Sequence, residues 1–136
     1  DAQYKVDFEY QHAFAQAAKK NGVRKFLLIS AAMANSKSLL FYSRMKGKLE
    51  NAIQHLSFQS LTIFWPGLLS RPGTKRTGEK ISESVLKFLN GLGLLKKMAP
   101  LPVKKLALLM VNYAKRDAPG TFIIESGRIL EEAEAL

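Results

Sequence analysis

The sequence predicts an α/β fold built on a parallel sheet. Two short apolar runs, Lys25-Phe26-Leu27-Leu28-Ile29 and Leu61-Thr62-Ile63-Phe64-Trp65, have the pattern of strands buried on both faces. Between them, Met45, Leu49, Ile53 and Leu56 recur at helical spacing. Strand, helix and strand in that order form a βαβ unit, and a crossover of this length makes its two strands parallel. Taken in order, residues 7–21 read as a helix with Phe8, His12 or Gln11, Ala15 and Ala18 on one face, stopped by Asn21-Gly22. The first strand ends at Ser30, a small-residue loop runs to Ser38, and the crossover helix covers about 39–55. Pro66-Gly67 closes the second strand, because proline has no N–H to give a ladder. Residues 70–78 read as a loop, 79–97 as a helix interrupted around Asn90-Gly91-Leu92-Gly93, and 103–115 as another helix. Thr121–Ile124 is a last strand after the Pro119-Gly120 turn, and Ser126 is placed to cap a final helix reaching Ala135.

The chain has 136 residues, 47 % of them apolar, the size of one unit that buries roughly two-thirds of its unfolded surface. No internal repeat or long linker divides it. The absence of cysteine excludes disulfides, thiolate zinc sites, iron–sulfur clusters and cysteine nucleophiles. Two histidines, His12 and His55, cannot form a histidine-rich metal site. The longest apolar runs are about six to eight residues, short of the roughly 20 a transmembrane helix needs, and no signal-peptide layout opens the chain. A cytoplasmic location is the resulting expectation. The sequence opens on Asp1 and not on methionine, so it reads as a processed product or a piece of something longer.

The formal charge is +10, and it is concentrated: from Arg71 to Lys105 nine basic residues face Glu79 and Glu83. Such a segment raises nucleic acid or an anionic membrane surface as partners. No nucleic-acid motif accompanies the charge, so nucleic acid is not expected, whereas the interleaved leucines suit weak contact with an anionic membrane.

In an open parallel sheet, ligands bind beyond the carboxyl ends of the strands. Ser30 ends the first strand there, Pro66 and Gly67 end the second, and Tyr42 lies in the first turn of the crossover helix. Tyr42 and Lys46 are four apart and share one helix face, at the flank of the Met45, Leu49 and Ile53 stripe. Both are therefore expected to be half-buried. A lysine ammonium close to a phenol favours the phenolate and lowers its pKa by about 1 to 3 units, which suits Tyr42 to acid or base work. With 15 lysines in the chain, this spacing arises by chance after one of four tyrosines in roughly 40 % of cases. Position adds weight to it, as does Gly47, a glycine in mid-helix that implies close packing.

The stretches Asn21 to Ala31, Phe41-Tyr42-Ser43-Arg44-Met45-Lys46-Gly47 to Glu50, and Ile63-Phe64-Trp65-Pro66-Gly67 to Leu69 resemble the second half of an atypical short-chain dehydrogenase/reductase. The group they are most similar to is the Tat-interacting-protein-like NAD(P)-binding oxidoreductases. Arg71, Arg76 and Glu79 resemble the same group's segment after the sixth strand. The resemblance implies a Rossmann-like parallel sheet with flanking helices. It further implies Tyr42 as proton donor or acceptor, Lys46 lowering its pKa and holding a nicotinamide ribose, and Ser30 orienting the oxygen of a small-molecule carbonyl or alcohol substrate. Pro66, Gly67 and Leu68 would present backbone to the nicotinamide of NADP or NAD. Two features depart from the group: Trp65 replaces an arginine, and no glycine-rich dinucleotide fingerprint follows any strand. The chain thus looks like the carboxyl half of such a fold, without its amino-terminal dinucleotide-binding half. The alternatives are an NAD(P)-binding regulatory or interaction protein without catalysis, and an anionic-surface binder acting through residues 71–105.

Overall fold

Burial of one strand on both faces organises the structure, a computed structural model that describes residues 1–67, 69–70 and 100–136. In chain order, helical turns Ala2–Tyr4 and Lys5–Glu9 lead into α1 (Tyr10–Lys20), followed by β1 (Lys25–Ile29), α2 (Phe41–Gln54), β2 (Ser60–Trp65) and β3 (Leu69–Ser70). Then come β4 (Leu101–Pro102), α3 (Val103–Lys115), β5 (Gly120–Glu125) and α4 (Ser126–Glu134). The main sheet has the order β1-β2-β5, parallel throughout, with Lys25 opposite Ser60 and Ser60 opposite Gly120. β3 and β4 form a separate two-residue parallel pair.

Alternation along the strands feeds two cores. Phe26, Leu28, Leu61 and Ile63 pack with Ala15 of α1 and Leu49 and Ile53 of α2. Phe64 and Ile124 point to the other face and meet Leu106, Leu109 and Tyr113 of α3 and Ile129 of α4. The result is an α/β arrangement, a parallel three-stranded sheet with helices on both faces, as in Rossmann-like folds. Residues 71–99 and Leu68 lie outside the described residues, and with them the helix at 79–97, most of the basic segment and all of the expected loop at 70–78 except Ser70, which ends β3.

Three elements differ from expectation. β1 is not buried on both faces: Phe26 and Leu28 are buried while Ile29 is 40 % exposed, because β2 is its one strand neighbour among the described residues. The first helical segment starts at Ala2, where the Asp1 side chain accepts from Gln3 N at 3.0 Å, and it passes through a π-helical turn before α1. Ser126 is the first residue of α4, not its cap, since Glu125 occupies the cap position and makes no side-chain capping bond. The stop after α1 is as read: Asn21 Nδ2 donates to Ala17 O, and Gly22 turns the chain at φ +83.

Long-range polar contacts tie the layers. Lys25 Nζ donates to Ala114 O at 2.8 Å and Arg116 O at 2.6 Å, so the amino end of β1 satisfies carbonyls at the end of α3. Glu132 of α4 accepts from Tyr113 Oη at 2.8 Å and Arg128 Nε at 2.6 Å, with Arg116 at 3.3 Å. Burial pushes the Glu132 carboxyl up, but these donors and their charge outweigh it and hold it below the ordinary carboxylate value. Its depressed native pKa contributes stability above the unfolded carboxylate pKa that is lost as pH falls through the native value. Glu132→Gln should therefore cost about 1 kcal/mol at neutral pH and progressively less in acid, read from urea midpoints across pH.

Gly47 packs against the loop between β1 and α2. A Cβ there would overlap Ser36 N and Asn35 C and stand 2.8 Å from Asn35 Cα. The loop is held in that place by Asn35 N donating to Ser43 O at 3.0 Å and by Arg44 reaching Ser38 O at 2.9 Å. Gly47→Ala gains up to about 1 kcal/mol of helix propensity but must displace backbone, so a net loss of about 1 to 3 kcal/mol is expected. A lower urea midpoint at unchanged slope is the corresponding measurement.

Candidate functional site

At the carboxyl ends of β1 and β2, α2 brings polar groups against an otherwise apolar layer. Ser30 follows β1 and is 4 % exposed, its N–H donating to Phe64 O at 2.8 Å. Lys46 and Glu50, one turn apart on α2, are both buried. Trp65, the last residue of β2, donates Nε1–H to Glu50 Oε1 at 2.7 Å. Pro66 is buried and Gly67 half-buried directly after it, whereas Leu68 lies outside the described residues. Tyr42 stands on the outer side of this cluster, 46 % exposed, with Lys46 Nζ 5.7 Å from its ring centroid.

The ammonium meets the face of the tyrosine ring and not its hydroxyl, a cation–π placement. No hydrogen bond joins the Tyr42 hydroxyl to Ser30 or Lys46 among the described residues. The electrostatics follow from this. Burial raises the Tyr42 pKa, and the Asp7 carboxylate raises it further. Burial lowers the Lys46 pKa, against the opposing pull of Asp7 and Glu50. The expected lowering of the phenol by Lys46 is thus corrected: desolvation and an unforeseen carboxylate act in the other direction. Tyr42 is half-buried as the helix face suggested, whereas Lys46 is more covered than that.

Ser30 and Lys46 are brought together through Glu50. Burial raises the Glu50 pKa, while Ser30, the Trp65 indole and the Lys46 charge favour its ionised form. Ser30 Oγ faces this carboxylate without completing a hydrogen bond and is a buried polar side-chain atom left without a partner. Glu50 and Asp7 were missed from the sequence. The signal for Glu50 was available, since it follows Lys46 by four on the same flank of α2; Asp7 reaches the site only because the first helical turns pack on α2.

The chain is similar to curated fungal proteins named as mitochondrial FMP52 proteins. It is 35 % identical over 119 residues to the mitochondrial protein FMP52-2 of Scheffersomyces stipitis, covering 85 % of this chain and 51 % of that protein. It is 34 % identical to FMP52-1 of the same organism, covering 93 % of this chain and 59 % of that one. The mitochondrial FMP52 of Debaryomyces hansenii is 42 % identical over 74 residues, 54 % of this chain and 33 % of that protein. These relatives are FMP52 proteins. The chain spans about half the length of the first two, and no protein-family model matches it. The relatives' names overturn the resemblance to Tat-interacting-protein-like short-chain dehydrogenases, and with it the oxidoreductase function inferred from that group. They equally correct the cytoplasmic expectation, since all three are named mitochondrial. Among the described residues, no helix is long and apolar enough to cross a membrane.

Because the native Glu50 pKa is raised, the group contributes stability that is present below the ordinary carboxylate pKa and lost as pH rises through the native value. Glu50→Gln retains an oxygen for the Trp65 indole but cannot ionise. Its stability relative to the parent should therefore climb from acid to neutral pH, and a difference that stays constant across that range would contradict the assignment.

Proposed function

We propose that the protein works in mitochondria and that the rim carrying Ser30, Tyr42, Lys46, Pro66 and Gly67 binds a nicotinamide dinucleotide, NADP or NAD. One observation carries the reading. At the carboxyl edge of a parallel sheet, where such folds take ligands, the buried Ser30 Oγ has no partner beside a buried lysine. An unpaired buried hydroxyl costs about 1 to 3 kcal/mol unless a ligand or water satisfies it. Lys46 forms neither an ion pair nor a hydrogen bond among the described residues, so its ammonium is free to donate to a sugar hydroxyl. Ser30 can donate to or accept from a carboxamide or ribose oxygen, and the half-buried Gly67 leaves backbone open after β2. The residues fit the sugar and base end of the molecule. They do not supply a pyrophosphate cradle, because no glycine-rich turn links a strand to a helix in the sequence. The mitochondrial setting is supported by the names of the FMP52 relatives.

Trp65 is the one tryptophan of the chain and sits in this cluster, so its emission reports directly on occupancy. Titration with NADPH and with NADH should give a saturable change for at least one of them, weak because the pyrophosphate lacks its cradle. Lys46→Gln should raise the apparent Kd about 10-fold, the loss expected for one charged hydrogen bond. No saturable response to either dinucleotide at millimolar concentration, or unchanged binding by the variant, would refute the proposal.

A further inference from the structure

We infer that the face of the sheet under α3 and α4 carries a second binding site, a cavity at the amino end of β2 that fits a small aromatic carboxylic acid with a hydroxyl on its ring. The cavity measures about 210 Å³. One of roughly 150 Å³ in an apolar core is enough for benzene, so a substituted benzene ring is the size it admits. It begins at Ser60, the first residue of β2, whereas the rim that gathers Ser30 and Lys46 lies beyond Trp65, the last. Five residues of strand, about 17 Å, separate the two.

Strand alternation supplies the floor. Thr62 and Phe122 are partners across β2 and β5, and Ile124 follows Phe122 by two, so all three face α3 and α4. Phe122 and Ile124 give an apolar surface, and Tyr113, whose ring stands edge-on to Phe64 at 5.3 Å, gives an aromatic wall. Burial of Tyr113 and its bond to Glu132 hold the phenol above its usual pKa, so the wall stays uncharged. Ser60 and Thr62 stand out on such a floor. Both are buried, and neither hydroxyl has a hydrogen-bond partner among the described residues. A buried hydroxyl is unfavourable until something bonds it.

Two guanidiniums complete the lining. Arg116 and Arg128 both border the cavity, and Arg116 is fixed over the Tyr113 ring, 3.7 Å from its centroid. Each pairs with Glu132, Arg128 through Nε at 2.6 Å and Arg116 through one Nη at 3.3 Å. A guanidinium has five N–H donors, so most of them remain for an anion. Glu132 beside them repels a dianion more than a monoanion, and the apolar floor offers nothing to inorganic phosphate. A planar acid with its carboxylate at the arginines, its ring against Tyr113 and Phe122 and its hydroxyl at Ser60 and Thr62 uses each of these groups.

Calorimetric titration of the full 136-residue chain tests this with 4-hydroxybenzoate, benzoate, 4-hydroxybenzamide and inorganic phosphate as probes. The expected result is saturable binding of 4-hydroxybenzoate at millimolar concentration. Benzoate, which lacks the hydroxyl, and the neutral amide, which lacks the charge, should each bind about 10-fold more weakly, and phosphate should not compete. Ser60→Ala combined with Thr62→Val should erase the preference for 4-hydroxybenzoate over benzoate. Ala118→Phe, at an exposed position on the cavity wall, should abolish binding of both acids by filling the space. Thermal melts check that each variant is folded, and the four probes on the unaltered chain decide the matter without them. No saturation by 4-hydroxybenzoate at about 10 mM, equal binding of the two acids or of acid and amide, phosphate binding as tight as the acid, or acid binding unchanged in folded Ala118→Phe would each overturn the inference. No dinucleotide enters these measurements, so they stand apart from the reading of the rim.

Discussion

Everything in this structure depends on β2 having no exposed face. Ile63 and Phe64 are adjacent in sequence, point to opposite sides and are both fully buried. Two helical layers are therefore obligatory, and the two cores they make share no side chain. The strand ends are where backbone leaves the apolar layers, and there the polar Ser30, Lys46 and Glu50 gather beside the Trp65 indole. The same requirement explains the parallel pairing, since each return to the sheet has to pass through a helix on one face or the other.

The polar cluster at the rim is held by compromise between burial and charge. Lys46 and Glu50 are each pushed toward neutrality by desolvation and pulled back toward ionisation by one another. The Trp65 indole gives Glu50 a neutral donor, so the carboxylate is satisfied without consuming the lysine. Ser30 is left as the group with unused capacity. Glu132 on the opposite face shows the contrasting solution, a more exposed carboxylate surrounded by donors that outweigh its burial.

Much of the fold was legible in the sequence. β1 and α3 fall on the residues read, and the parallel βαβ unit follows from run length and helical spacing alone. Gly47 announced a close approach, and the loop backbone is what it admits. The raised pKa of Tyr42 was not legible, because a spacing of four places two side chains on one face without saying whether the ammonium meets hydroxyl or ring, and because Asp7 lies 35 residues upstream. The exposure of Ile29 was hidden for a related reason: an apolar run does not say whether a strand has a neighbour on each side, and among the described residues β1 has only β2. Family resemblance around Tyr42 and Lys46 led to an activity that the names of the FMP52 relatives do not carry.

The lysine at the start of β1 has a consequence for the order of folding. Its two bonds to the end of α3 close loops of 89 and 91 residues, the longest side-chain links described in the molecule. Loops of that size are entropically costly to close early, whereas β1 and β2 meet across only 35 residues. The β1–α2–β2 unit is thus the natural nucleus, and the lysine link forms after it. It acts as a latch, slowing the escape from the native state more than it speeds arrival there.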